Sequence, residues 1–214
     1  MKKIFILFAI LLLTSYSFGG GKGDGGSTTP KYKEVKLTVT YYWQETSYFC
    51  GMACMQMYLD YLFTKKDYYW DYWNRKRTPT QQELWNKNVG GAMANFPSTL
   101  NYYLNFAGYG NSYTKYYIFY GDNSQLNTQK SLIDNSEVCI VGFGKTYYGS
   151  DHAVLMIGYE IKSDSSSVSD IRTIYYHDPW HGAEKYISPS KWKDYTIIND
   201  GYGTYRMSVA KAGF

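Results

Sequence analysis

The sequence lacks several features that mark common protein classes. It has only 3 cysteines in 214 residues, too few for a fold held together by disulfides. The 22 Lys and Arg side chains nearly balance 18 Asp and Glu, for a formal net charge of +4. No basic run is long enough to predict a nucleic-acid groove, so we expect no nucleic-acid partner. The apolar run at residues 4–13 is too short to span a bilayer.

The composition instead predicts one folded unit with a packed core. Hydrophobic residues make up 44% of the chain and charged residues 19%, which excludes wholesale disorder. The length suits one ordinary domain or a small two-lobed one. Aromatic residues are unusually frequent at 20%, with 26 tyrosines.

The N-terminus has the pattern of a secretory signal peptide. Lys2 and Lys3 precede the apolar run at residues 4–13, and small or polar residues follow. We therefore predict a signal peptide over residues 1–19 and a secreted or periplasmic protein. Residues 20–34 are rich in glycine and predict a flexible leader. Residues 35–214 remain for one globular domain.

Helices are predicted early in that domain and strands late, which is the α+β pattern. Two layers are expected to meet at an interface. The predicted helices cover residues 50–63, a segment that begins with the capping-box pair Thr80 and Glu83, residues 97–106 and residues 124–133. The predicted strands cover residues 35–42, 115–120, 138–143, 153–159, 171–177 and 203–209. The Ser-rich residues 163–169 are expected to form a hairpin loop.

Three residue types suited to nucleophilic catalysis occur at the ends of these elements. Cys50 begins a predicted helix, where the helix dipole stabilises a thiolate and free backbone N–H groups can bind an oxyanion. A thiol nucleophile needs an imidazole base and an acceptor that orients it. His152 opens one predicted strand and Asp178 ends the next. The side-chain amide of Gln44 is a further donor for the oxyanion.

The order of these residues resembles a known family. Gln44 lies six residues before Cys50-Gly51, His152 opens a strand rich in Val and Gly, and Asp178-Pro179 ends the next strand. This is similar to papain-type cysteine peptidases, and within them to the family-39-like peptidases, relatives of bacterial bacteriocin-leader processing domains. The resemblance covers about residues 35–210. It implies a papain-like fold, in which an N-terminal helical lobe with the nucleophile helix packs on a C-terminal antiparallel β-sheet.

The resemblance also implies a role for each matching residue. Cys50 corresponds to the nucleophile, His152 to the general base, Asp178 to its orienter and Gln44 to the oxyanion-hole glutamine. Trp180 lies where papain-type enzymes often shield the histidine–acceptor hydrogen bond with an indole.

Two positions depart from the subgroup's usual pattern. Met52 stands where Cys-Gly is usually followed by Pro, and Asp151 stands where Gly usually precedes the histidine. Neither change removes a catalytic atom. We expect the Asp151 carboxylate to raise the pKa of the imidazole and to alter the preferred substrate charge. Asp151, Gly51 and Trp180 are expected in the substrate cleft.

The predicted function is that of an exported thiol peptidase. It would hydrolyse peptide or related amide bonds through a Cys-His-Asp triad and an acyl-enzyme, with no metal or organic cofactor. The expected partner is a peptide or protein substrate, with a cell-wall or glycan-bearing target as one form. An amidase or acyltransferase would use the same residues. The alternative is a non-catalytic papain-like binding or adhesion module whose Tyr/Trp cluster at residues 67–73 contacts glycan or protein.

The remaining cysteines and histidines leave alternatives open. Cys54 and Cys139 are expected either as a disulfide or as two buried free thiols. His177 and His181 flank Asp-Pro-Trp, a spacing that superficially suits a metal pair. Pro179 prevents the helix that would align them, so no metal site is predicted there. His177 is expected to point away from the triad, because it neighbours Asp178 on a strand.

Overall fold

The computed structural model describes residues 29–66, 77–88, 91–106, 114–119, 122–144, 151–200 and 203–211. The expected signal peptide at residues 1–19 and the aromatic cluster at residues 67–73 lie outside this part of the chain. So does most of the expected leader at residues 20–34. Among the residues that are described, none of the helices is both long and apolar enough to cross a membrane.

Most of the described helices lie in the first part of the chain and most of the strands in the second, as the α+β pattern predicts. The helices are α1 (Cys50–Lys66), α2 (Gln81–Lys87), α3 (Phe96–Phe106), α4 (Asp122–Asp134) and α5 (Pro189–Tyr195). The strands are β1 (Tyr32–Lys36), β2 (Thr114–Phe119), β3 (Cys139–Phe143), β4 (His152–Lys162), β5 (Ile171–Asp178), β6 (Gly182–Ile187), β7 (Ile198–Asp200) and β8 (Gly203–Lys211). The Ser-rich residues 163–169 lie in the connection between β4 and β5, as predicted.

The described strands pair antiparallel around the long strand β4. The order across the sheet is β2-β8-β3-β4-β5-β6, with β7 paired to β8. Along one edge of β4, β3 pairs with residues 152–156 and β1 with residues 158–162. The other edge of β4 pairs with β5. The start of β4 and the end of β5 therefore lie side by side.

Helices cover both faces of this sheet, so the described fold has three layers instead of the expected two. Ile140 and Leu155 point into one buried cluster, which contains α1, α2 and α3. Their strand neighbours Val141 and Val154 point into a second cluster with α4 and with Trp192 of α5. A strand buried on both faces needs apolar side chains at every position, which explains the nearly continuous apolar runs of β3 and β4.

The predicted strand at residues 35–42 is wrong beyond Lys36. The strand begins at Tyr32, inside the expected leader, and ends at Lys36. The alternating residues Leu37, Val39 and Tyr41 pack against the first core cluster from an irregular segment. Alternation records which side chains are buried, and an irregular segment that lies along the core gives the same pattern as a strand.

The predicted capping box at α2 is confirmed. The Thr80 hydroxyl accepts from the Glu83 backbone N–H at 3.2 Å, and the Glu83 carboxylate accepts from the Thr80 N–H at 2.8 Å. By contrast, β6, α5 and β7 were not predicted. The signal for α5 was present, since Ser188 caps the helix and Pro189 occupies its first turn.

Candidate active site

A cavity of about 830 Å³ opens where the start of α1 meets the start of β4. Cys50 is the first residue of α1 and His152 the first residue of β4. Both line the cavity, as do Gln44, Asp151 and Trp180. Residues more than 100 positions apart in the sequence therefore share one cleft.

The sheet register brings His152 and Asp178 together. His152 Nε2 lies 2.9 Å from Asp178 Oδ1. Both side chains are largely removed from solvent, at 9% and 1% exposure. Because Nε2 is engaged by the carboxylate, Nδ1 is the ring nitrogen available to the Cys50 side chain, with which His152 also forms a hydrogen bond.

Cys50 and His152 change each other's pKa in the directions that favour an ion pair. Burial alone would raise the pKa of the Cys50 thiol. The hydrogen bond and charge of His152, together with the backbone N–H groups of Ala153 and Gly51, outweigh that effect and lower it. Burial likewise opposes the charged form of His152, but hydrogen bonds to Asp178 and Cys50 raise its pKa to about 9.

The Asp178 carboxylate is held on both of its oxygens. Oδ1 also accepts from the backbone N–H groups of Trp180 and His181, at 2.9 and 3.1 Å. Oδ2 lies 3.1 Å from His181 Nδ1. The Tyr41 hydroxyl donates to the Asp178 carbonyl at 2.8 Å. The turn after β5 thus fixes the direction in which the carboxylate faces His152.

Gln44 lies on a segment that is anchored to this turn. Its backbone N–H donates to the Pro179 carbonyl at 3.1 Å. Its side-chain Nε2 donates to the Thr46 carbonyl at 2.6 Å, and Oε1 is buried with no hydrogen-bond partner among the described residues. Buried Gln81 of α2 holds the same segment by bonding the Glu45 N–H and the Trp43 carbonyl.

The three expected cleft residues have different surroundings. Trp180 lines the cavity and is half exposed, at 50%. Asp151 is exposed at the cavity. The pKa of His152 is raised by Asp178 and Cys50, where the sequence had suggested Asp151. Gly51 packs so closely on Phe96 that an added Cβ would lie 2.3 Å from the Phe96 Cζ.

His177 stands apart from the contacts of Cys50, His152 and Asp178. One of its ring nitrogens, Nε2, bonds the Val39 carbonyl at 3.1 Å and the other accepts from the Glu184 N–H at 3.1 Å. His181 contacts Asp178 instead, so the two histidines do not converge on one metal. Sequence reasoning missed this role of His181. The available signal was its position three residues after Asp178, in a turn that Pro179 favours.

The disulfide alternative is wrong, because all three cysteines are free thiols. Cys54 is buried in the cluster with α1, and Cys139 in the cluster on the opposite face of the sheet. Burial raises the pKa of both thiols. Cys50 alone among the three has a lowered pKa.

A thiol at a helix start, joined through an imidazole to a carboxylate on an antiparallel sheet, is the arrangement of a cysteine-dependent hydrolase. The described fold is compatible with the papain-like class. The chain belongs to the Peptidase_C39 like family, whose model matches residues 36–207. Membership of a peptidase family supports a hydrolase that acts on peptide or protein substrates. No curated protein matches the chain.

Proposed function

We propose that this protein is an exported cysteine peptidase that hydrolyses peptide or related amide bonds. The observation that carries the proposal is the continuous hydrogen-bonded connection from Cys50 through His152 to Asp178 at the cavity. It supplies the nucleophile, base and orienting acceptor that acyl transfer to a thiol requires.

In the proposed reaction the Cys50 thiolate attacks the substrate carbonyl carbon and forms a tetrahedral intermediate. The His152 imidazolium then gives its Nδ1 proton to the leaving amine as the carbon–nitrogen bond breaks. Water, deprotonated by the neutral imidazole, attacks the thioester and releases the acid product. Asp178 keeps the Nε2–H end of the ring fixed throughout, so that Nδ1 always faces the sulfur.

The oxyanion would be held by donors near the start of α1. The Cys50 backbone N–H lies in the first turn, where it has no acceptor within the helix. Gln44 Nε2 carries two N–H groups, and Thr46 accepts one of them. We assign the second to the oxyanion. The anchors at Pro179 and Gln81 restrict Gln44 and so reduce the reorganisation needed when charge develops.

The same geometry serves an amidase or an acyltransferase, which differ from a peptidase in the acyl acceptor or the amide cleaved. We also propose the papain-like arrangement of two lobes, in which the helix that carries the nucleophile packs on the sheet. It is supported by the core that α1 shares with β3 and β4.

Export is proposed from the signal-peptide pattern at residues 1–19. Expression of the full chain in a secreting bacterial host should yield a protein outside the cytoplasm that begins near Gly20, as read by intact mass. Replacing Lys2 and Lys3 with Glu should retain the precursor, since the positive n-region is needed for entry to the secretory route. A full-length protein that stays in the cytoplasm would contradict export.

Thiol labelling tests the catalytic proposal directly. Iodoacetamide should alkylate Cys50 rapidly near about pH 6, where an ordinary thiol is nearly unreactive. His152→Ala should slow that labelling at least about tenfold, because the thiolate loses its cationic partner. The internal controls are Cys54 and Cys139, which should label only after unfolding. The rate is read by peptide mass spectrometry.

A peptide-library digest with the native protein and with Cys50→Ala provides the second arm. Cleavage by the native chain alone supports the peptidase. If Cys50 labels only near the ordinary thiol pKa of about 8.5, and does so equally in His152→Ala, the proposed ion pair is wrong.

A further inference from the structure

The imidazole of His181 contacts Asp178, the same carboxylate that orients His152. His181 Nδ1 is 3.1 Å from Asp178 Oδ2, while His152 Nε2 is 2.9 Å from Asp178 Oδ1. The two imidazole rings are nearly perpendicular, with centroids 6.5 Å apart. One ligand atom from each of these three residues lies within 4.8 Å of the others. The proposed peptide cleavage uses His152 and Asp178 and has no step for His181.

Two imidazoles and a carboxylate are a donor set that suits Zn²⁺. Zinc bonds to nitrogen and oxygen at about 2.0–2.2 Å, so neighbouring ligand atoms of a tetrahedral site lie about 3.4 Å apart. The two hydrogen-bonded contacts at 2.9 and 3.1 Å are already near that separation. Movements of about an ångström would let all three atoms reach one ion.

The three residues also combine access with burial. The Asp178 and His152 side chains are 1% and 9% exposed, whereas that of His181 is 43% exposed. An ion can therefore enter from the His181 side, with water as its fourth ligand. The buried carboxylate contributes negative charge next to the cation, in surroundings where screening by water is weak.

We propose that His152, Asp178 and His181 form an inhibitory zinc-binding site. Zinc would bond to His152 Nε2, to an Asp178 oxygen and to His181 Nδ1, and any proton on either ring nitrogen would leave to water. The inhibitory part of the proposal rests on the proposed peptidase function. With zinc on Nε2, the remaining imidazole proton stays on Nδ1 and Asp178 no longer accepts from the ring. His152 then cannot exchange a proton with the thiol or the leaving amine.

This site is distinct from capture of zinc by the reactive thiol. Nε2 faces Asp178, so zinc bound there lies on the side of the imidazole away from the nitrogen that serves Cys50. Binding should therefore survive the loss of the sulfur but should require His181.

The test measures zinc binding in the full-length folded protein, by competition with a chromophoric zinc chelator. The native chain and Cys50→Ala should each bind one zinc with similar affinity. His181→Asn should weaken binding at least about tenfold. Asparagine is the matched replacement because its amide can still donate to Asp178 Oδ2 but is a poor zinc ligand. Asp164→Asn removes an exposed carboxylate in the turn after β4, far along the chain from His152 at the strand's other end, and should leave the affinity unchanged.

Inhibition is measured as the zinc concentration that halves the rate of peptide cleavage, relative to the rate of the same variant without metal. That concentration should rise by the same factor as the dissociation constant in His181→Asn. Equal zinc affinity in His181→Asn, or loss of binding in Cys50→Ala, would overturn the site. Because binding is measured in the inactive Cys50→Ala, its outcome does not depend on whether the peptidase proposal holds. Zinc binding with these variant effects, but with no peptide cleavage by the native chain, would contradict the proposed peptidase function and still support the metal site.

Discussion

At the residue scale, the chemistry of the site depends on two pKa shifts of opposite direction. Burial opposes charge on both partners, yet the Cys50 pKa is lowered below that of an ordinary thiol and the His152 pKa is raised to about 9. The thiolate exists above the lowered pKa and the imidazolium below about 9. The ion pair therefore occupies the pH range between them, and activity should fall on the acid side as Cys50 protonates and on the alkaline side as His152 loses its proton.

Asp178→Asn tests the contribution of the carboxylate charge to this range. The asparagine Oδ1 can still accept from His152 Nε2 and from the Trp180 and His181 N–H groups, so the ring stays oriented. Its negative charge is lost, and with it one of the causes that raise the His152 pKa. We expect the alkaline limb of kcat/KM to move to lower pH, which a pH–rate profile measures directly.

The companion variant Asp178→Ala removes orientation as well as charge. We expect kcat/KM to fall by about 10²-fold or more in that variant, and by less in the asparagine variant. An alkaline limb that stays in place in Asp178→Asn would show that this carboxylate does not set the imidazole pKa.

At the element scale, the start of α1 is positioned by close packing as well as by its hydrogen bonds. Gly51 follows the nucleophile and faces the ring of Phe96, the first residue of α3, with no room for a Cβ. Phe96 is buried at 2% exposure in the core that also contains α1. The cleft therefore depends on how α1 and α3 pack, since a displacement of either helix moves the Cys50 sulfur.

Gly51→Ala distinguishes the effect of packing from that of helix propensity, because the two predict changes of opposite sign in the free energy of unfolding. Propensity alone would stabilise the helix by about 1 kcal/mol. Overpacking against Phe96 should instead cost about 1–3 kcal/mol, giving a net loss in the free energy of unfolding measured by urea denaturation. Phe96→Leu replaces the ring with a smaller side chain and makes room for the added methyl group. Gly51→Ala should therefore cost less stability in the Phe96→Leu background than in the native protein. A Gly51→Ala protein more stable than the native one would contradict this packing.

At the scale of the whole molecule, the sheet separates the side chains that pack with α1 from those that pack with α4. The sequence alone does not show to which of these two faces each buried residue belongs. Cys139 and Ile140 are adjacent on β3 and point to opposite faces, Ile140 towards α1 and Cys139 away from it. Cys54 lies on the α1 side. The backbone of β3 therefore stands between the Cys54 and Cys139 sulfur atoms, and a bridge would require the strand to turn over.

Thiol counting checks this arrangement in the purified protein. The chain unfolded without reductant should take up three equivalents of alkylating agent by intact mass, and the native chain should take up one, at Cys50. Uptake of a single equivalent after unfolding would mean that Cys54 and Cys139 are bridged and that the two faces are arranged differently. A Cys139→Ala chain serves as the control and should take up two equivalents after unfolding.

Much of the local structure could be predicted from the sequence alone. The α1 helix, the Thr80 capping box and five of the six predicted strands follow from neighbouring residues, because helix periodicity, caps and β-rich runs are local properties of the sequence. The order of Gln44, Cys50, His152 and Asp178 also indicated the family, because the order and spacing of motif residues are visible in the sequence itself.

Tertiary structure decided which partners these local elements meet. It placed the first strand at Tyr32–Lys36, because β4 offered a free edge there. It put His181 on Asp178 and kept Cys54 apart from Cys139. Hydrogen-bond partners across a sheet depend on register, and burial depends on which layer covers each face. Both are set by contacts between residues distant in sequence, which a local pattern does not contain.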